Sequence, residues 1–98
     1  MLSTFNATLE ARNPERGHFR SYRVDVGQDL FGCWLIDVTY GRIGVGGHLI
    51  RYVAADVTEA RSIAQKLLIR RKTATRRIGT AYRLLELNDP CEWLSEKA

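Results

Sequence analysis

The chain changes its hydrophobic period once, at Asp56, and that switch constrains its fold more than any other feature. Before it, apolar residues recur at every second position; after it, Ala60, Ile63, Ala64, Leu67 and Leu68 follow the i, i+3, i+4, i+7, i+8 spacing. A period of two belongs to half-buried strands and a period near 3.6 to an amphipathic helix. The helix needs a partner for its apolar stripe, and the buried face of a sheet is the only large one available. The pattern therefore predicts an α+β fold, an antiparallel sheet of about four to five strands with one amphipathic helix packed across it.

The strands follow from local alternation and punctuation. Phe5, Ala7, Leu9 and Ala11 share one side of a first strand, and Asn13-Pro14-Glu15-Arg16-Gly17 turns the chain. The return strand, about 18–26, turns Tyr22, Val24 and Val26 one way. A loop at 27–32 leads to the most hydrophobic strand, with Trp34, Ile36, Val38 and Tyr40 on one face. Four glycines within 41–47 predict a sharp turn, then a fourth strand, His48 to Ala54, whose two partly apolar faces predict a central position. Asp56 with Glu59 reads as a helix capping box, Gly79 ends the basic segment, and Tyr82 to Leu87 reads as a last edge strand.

Ninety-eight residues suffice for one compact domain and not for two. The expected organisation is a single domain over 1–98, with its core at about 5–87 and an acidic tail at 88–98. No apolar run reaches the roughly 18 to 20 residues of a membrane span, and the first residues lack the pattern of a signal peptide, so a cytoplasmic protein is expected. Cys33 and Cys91 have neither the number nor the spacing of a zinc site and read as reduced thiols. His18 and His48 have no acidic or thiol cluster near them in sequence. No nucleophile, base and orienting acid converge by spacing, so neither an enzyme nor a metal or other cofactor is expected.

Charge is more informative in its distribution than in its sum. The net +4 hides a neutral stretch over 1–56, a block at 57–83 with eight cations against Glu59 alone, and a final segment at 84–98 with four acids against Lys97. Arg61, Lys66, Arg70, Arg71, Lys72, Arg76 and Arg77 line the helix and its exit. They read either as solvated surface or, favoured by so little opposing charge, as a phosphate-binding face that gives affinity without reading sequence.

Tyr40-Gly41-Arg42-Ile43-Gly44, within the stretch from Tyr22-Arg23-Val24 to Gly47, resembles a WGR domain, a family named for its Trp-Gly-Arg triad. The similarity covers roughly residues 5–87, including Asp29-Leu30-Phe31-Gly32, Glu59-Ala60 and Lys72-Thr73. The family occurs in poly(ADP-ribose) polymerases and as short bacterial proteins, and the resemblance implies an antiparallel sheet with one helix. In the polymerases the domain helps to bind DNA at strand breaks with the triad near the DNA end, which implies that role for Tyr40, Gly41 and Arg42. Two positions depart from the pattern. Tyrosine replaces the triad tryptophan, keeping an aromatic face of smaller area, and Ala74-Thr75 follows Lys72-Thr73 where Gly-Asn is common. The polymerases' ADP-ribosyl transfer does not carry over, because the chain has no room for a catalytic domain.

Each site residue also has a structural reading. Tyr40 lies in phase with Trp34, Ile36 and Val38, so an unbroken pleat turns it toward the core. Arg42 either forks to phosphate or a base edge, or braces the turn through backbone carbonyls. The glycines read as hairpin geometry, because a phosphate-cradling loop opens a helix and here a strand follows. The function expected is a non-enzymatic nucleic-acid-binding module, for DNA before RNA and in particular its ends or breaks, using Tyr40, Gly41 and Arg42 with Lys66, Arg70, Arg71, Lys72, Arg76 and Arg77. The alternative is a protein-interaction module whose basic face meets an acidic partner or whose strand edge pairs with another chain.

Overall fold

The computed structural model describes residues 2–73 and 80–93. Strand β1 (Leu2–Asn13) runs into a 3₁₀ turn at Pro14–Arg16, closed by Gly17 in the left-handed conformation (φ 69°). Then follow β2 (His18–Gln28), β3 (Trp34–Arg42), β4 (His48–Ala54), helix α1 (Val57–Lys72) and β5 (Arg83–Asn88). All pairings are antiparallel, in the order β4-β3-β2-β1-β5. The α+β architecture expected from the change of period is present, with five strands and one helix. No helix among the described residues is long and apolar enough to cross a membrane.

The first four strands form a meander, and α1 then carries the chain back across the sheet to set β5 beside β1. The pleat places Phe5, Ala7 and Leu9 of β1, Tyr22, Val24 and Val26 of β2, and Ile36 and Val38 of β3 on one buried face. Helix α1 lays Ala60, Ala64 and Leu68 against this face, with Ile63 and Leu67 at its margin. Two alanines one turn apart let the helix approach closely, since a small side chain holds the backbones least far apart.

The helix starts where the capping pattern sets it. The Asp56 carboxylate accepts the Glu59 N–H at 2.8 Å, while the Glu59 carboxylate reaches one residue further back than in a simple capping box, accepting the Ala55 N–H at 2.7 Å. Past the helix, the Thr80 hydroxyl is buried against the first turn, 2.6 Å from His18 Nδ1 and accepting from Asn13 Nδ2 at 3.3 Å. Trp93 then docks on the core, stacked on Phe5 with ring centroids 5.4 Å apart. Its carbonyl accepts from Gln65 of α1.

The position expected for the fourth strand is corrected. β4 is an edge strand, not a central one. Leu49, Ile50, Tyr52 and Val53 stay exposed on its two faces, so the composition that suggested two covered faces has another cause.

Candidate nucleic-acid interface

The site is assembled by the register between β2 and β3. Tyr22 lies opposite Tyr40, Ser21 opposite Gly41 and Arg20 opposite Arg42. Directly opposed residues share a face, so two tyrosines and two arginines collect at one end of the sheet, on the side that carries the helix. The last turn of α1 adds Arg71, and the segment entering β5 adds Tyr82. Together with Phe19 these side chains line an open hollow of about 460 Å³.

Tyr40 settles between its two readings. It lies on the helix-facing side, in phase with Trp34, Ile36 and Val38, but beyond the helix's cover, and 39 % of it is exposed. Its ring meets His48 across the hairpin at 5.5 Å and offers its remaining surface to the hollow. The Arg42 guanidinium rests 5.2 Å from the centre of the Phe19 ring rather than on the carbonyls of the turn. A guanidinium seated over an aromatic ring by its charge can still donate hydrogen bonds to a ligand.

Gly41 and Gly47 permit the hairpin that places these residues. A Cβ at Gly47 would fall 2.6 Å from the Tyr40 carbonyl oxygen, and one at Gly41 would fall 3.0 Å from the Gly47 Cα. The two chains therefore cross at a distance only glycine allows, and Gly44 (φ 82°) completes the turn. The run is hairpin geometry, as its position before a strand predicts.

Arg71, counted in the sequence within the row of helix cations, is half-buried. It lies over the Tyr22 ring at 4.1 Å and near Tyr82 at 5.8 Å, and its Nε is buried without a hydrogen-bond partner among the described residues. The Tyr22 hydroxyl is likewise buried. Burial pushes the Tyr22 phenol above its usual pKa, partly opposed by hydrogen bonding to Arg71 and then by the Arg71 charge. Among the described residues no carboxylate comes within ion-pair distance of Arg20, Arg42 or Arg71. The hollow is thus a cationic, aromatic recess.

The remaining cations do not form one face. Lys66 and Arg70 border a shallow depression beside Tyr52 and Ile63, on the β4 side of α1. Lys72 borders a narrower groove with Leu9, Tyr82 and Leu84, on the β5 side. Arg76 and Arg77 lie outside the described residues. Sequence reasoning missed Arg20, Phe19, Tyr22 and Tyr82 as members of the site. Arg20 could have been found by counting outward from Val24 opposite Val38, a register the matching apolar residues suggest. Among the described residues no group of three or more His, Cys, Asp or Glu could hold a metal ion. Cys33 and Cys91 are free and exposed.

A five-stranded antiparallel sheet with one helix across it, presenting an arginine-lined recess at a strand end, defines a small α+β binding module. The model of the WGR domain matches residues 5–79, three quarters of the chain, and the protein belongs to that family. WGR domains are in general nucleic-acid-binding modules and are not catalytic by themselves. No curated relative and no solved structure matches the chain.

Proposed function

We propose that this protein is a non-enzymatic DNA-binding module whose hollow receives an exposed nucleotide at a strand end, while cations outside it hold the flanking phosphates. The observation that carries this reading is the meeting of Arg20, Arg42 and Arg71 with the exposed face of Tyr40 in one recess. Cations without carboxylate partners attract phosphate oxygens, and a base or sugar stacked on an aromatic ring contributes about 1–3 kcal/mol. The half-buried Arg71 guanidinium, held over the Tyr22 ring, adds positive charge at the same place. Lys66 and Arg70 on one flank of α1 and Lys72 on the other, together with Arg76 and Arg77 that follow in the sequence, supply contacts to the backbone that carry no sequence information. A ligand that ends in the hollow is favoured by its place at the rim of the sheet, where Tyr40 caps a strand rather than lining a through-going groove.

The test is fluorescence anisotropy of a labelled blunt duplex between about 50 and 200 mM salt, where each phosphate contact contributes roughly 0.9 to the log-log slope. Arg42→Ala and Arg20→Ala should each weaken binding about tenfold and flatten that slope by about one contact. Closed-circular DNA should compete poorly and a blunt duplex well; an RNA duplex of the same sequence separates DNA from RNA. Absence of saturable binding at the lowest salt would remove nucleic acid as the ligand.

A further inference from the structure

Strand β4 carries an observation that the DNA-binding reading does not use. It ends the sheet, so among the described residues one side of its backbone has no strand beside it. Folded proteins ordinarily blunt such edges with charge, proline or a bulge. β5, the opposite edge, does so: its register against β1 shifts at Leu85, and Arg83 and Glu86 interrupt its apolar residues.

β4 has none of these protections. Its seven residues pair with β3 without a shift in register, and they contain no proline. Arg51, its single permanent charge, is drawn inward onto Asp37 of β3, with Nε on Oδ1 and Nη2 on Oδ2, both at 2.7 Å. On the open face of the sheet Leu49 and Val53 are 62 % and 64 % exposed, and on the helix-facing side Ile50 and Tyr52 are 39 % and 38 % exposed.

The sequence of this edge is close to a palindrome in character. Reading outward from Arg51, Ile50 mirrors Tyr52, Leu49 mirrors Val53, and His48 mirrors Ala54. We propose that β4 pairs antiparallel with the β4 of a second copy of this chain, about a two-fold axis midway between the two Arg51 residues and perpendicular to the sheet, joining the two sheets into one. In this register Ile50 of each copy lies opposite Tyr52 of the other, and Leu49 opposite Val53. The two members of each pair share a face, as directly opposed residues must. Aromatic with β-branched pairs, here Ile50 with Tyr52, are among the stabilising cross-strand combinations.

The one like-charge meeting is neutralised from within. Across the join the row reads Asp37, Arg51, Arg51, Asp37, each guanidinium already held by the carboxylate of its own copy. Sliding the register by two residues in either direction sets each Arg51 against an aliphatic side chain and shortens the ladder. The unshifted pairing is the one in which both apolar faces and the charged row match together.

One strand pair is a small interface beside the roughly 1,000 Å² that marks stable assemblies, so dissociation is expected on the order of 10–100 µM. Sedimentation of the full chain from about 5 to about 500 µM should show the mass rising toward twice the monomer value. Leu49→Lys/Val53→Lys, placed on exposed side chains, should raise the midpoint at least about tenfold, and Leu85→Lys on the other edge should leave it unchanged. In parallel, hydrogen exchange of the wild-type protein should slow with concentration in 48–54 and not in 83–88. A wild-type chain that stays monomeric throughout overturns the proposal. So does association that leaves exchange in 48–54 unchanged, that survives the paired lysines, or that the β5 control abolishes. Should the lysine variant fail to fold, exchange in the wild type decides alone.

Discussion

Gly47 has no room for a side chain, because a Cβ there would overlap the Tyr40 carbonyl oxygen at 2.6 Å, whereas Gly46 beside it has nothing within 4 Å. Gly47→Ala should therefore cost about 2 kcal/mol or more, and Gly46→Ala no more than about 0.5 kcal/mol, in urea denaturation. The two glycines look alike in the sequence. The signal that separates them is the crossing of two backbones, which no single-chain spacing records. Arg71 is the reverse case, since its burial was legible: it falls three residues after Leu68 and seven after Ala64, in phase with the helix's apolar stripe. Counting it among a block of cations concealed that phase. Because its guanidinium is partly buried and incompletely bonded, Arg71→Met should leave stability within about 1 kcal/mol of wild type. Paired urea denaturation and DNA-binding measurements should show affinity lost without a matching loss of fold.

Among the elements, the sequence was most readable where a local rule has one outcome. The Asp56 cap, the turn at Pro14–Arg16 and the bounds of β4 all follow from such rules. The place of β4 in the sheet was not readable, because alternation reports which side chains are apolar and not which strand lies alongside. An edge that keeps apolar residues on both faces has the same pattern as a covered strand. The Asp37–Arg51 pair that joins β4 to β3 has a pH signature. Its hydrogen bond to Arg51 holds the Asp37 carboxyl below the usual carboxylate range. A depressed folded-state value gives stability that is present at neutral pH and lost as pH falls through that value. Asp37→Asn should accordingly lower the urea midpoint at neutral pH and converge with wild type in acid, by a modest margin because the pair is open to solvent.

For the molecule as a whole, the core is completed beyond the residues of the family match. β5 and Trp93 follow position 79, yet Trp93 is only 4 % exposed and is stacked on Phe5 of the first strand. Trp93→Ala should cost about 3–5 kcal/mol in chemical denaturation, as removal of a large buried aromatic does. A chain ending at Trp93 should retain most of the stability, since the hydrogen bond from Gln65 reaches the Trp93 carbonyl. The same docking shows that an acidic segment cut at residue 88 would take part of the core with it. The strand order has a further consequence, for the timing of assembly. Strand β1 is flanked on one side by its immediate successor and on the other by β5, which is made only after the helix. The meander can close as it emerges, through contacts near in sequence, but the outer side of β1 waits for β5. A nascent chain arrested after the helix would carry two open edges of different kinds, one that maturation covers and one that it leaves bare.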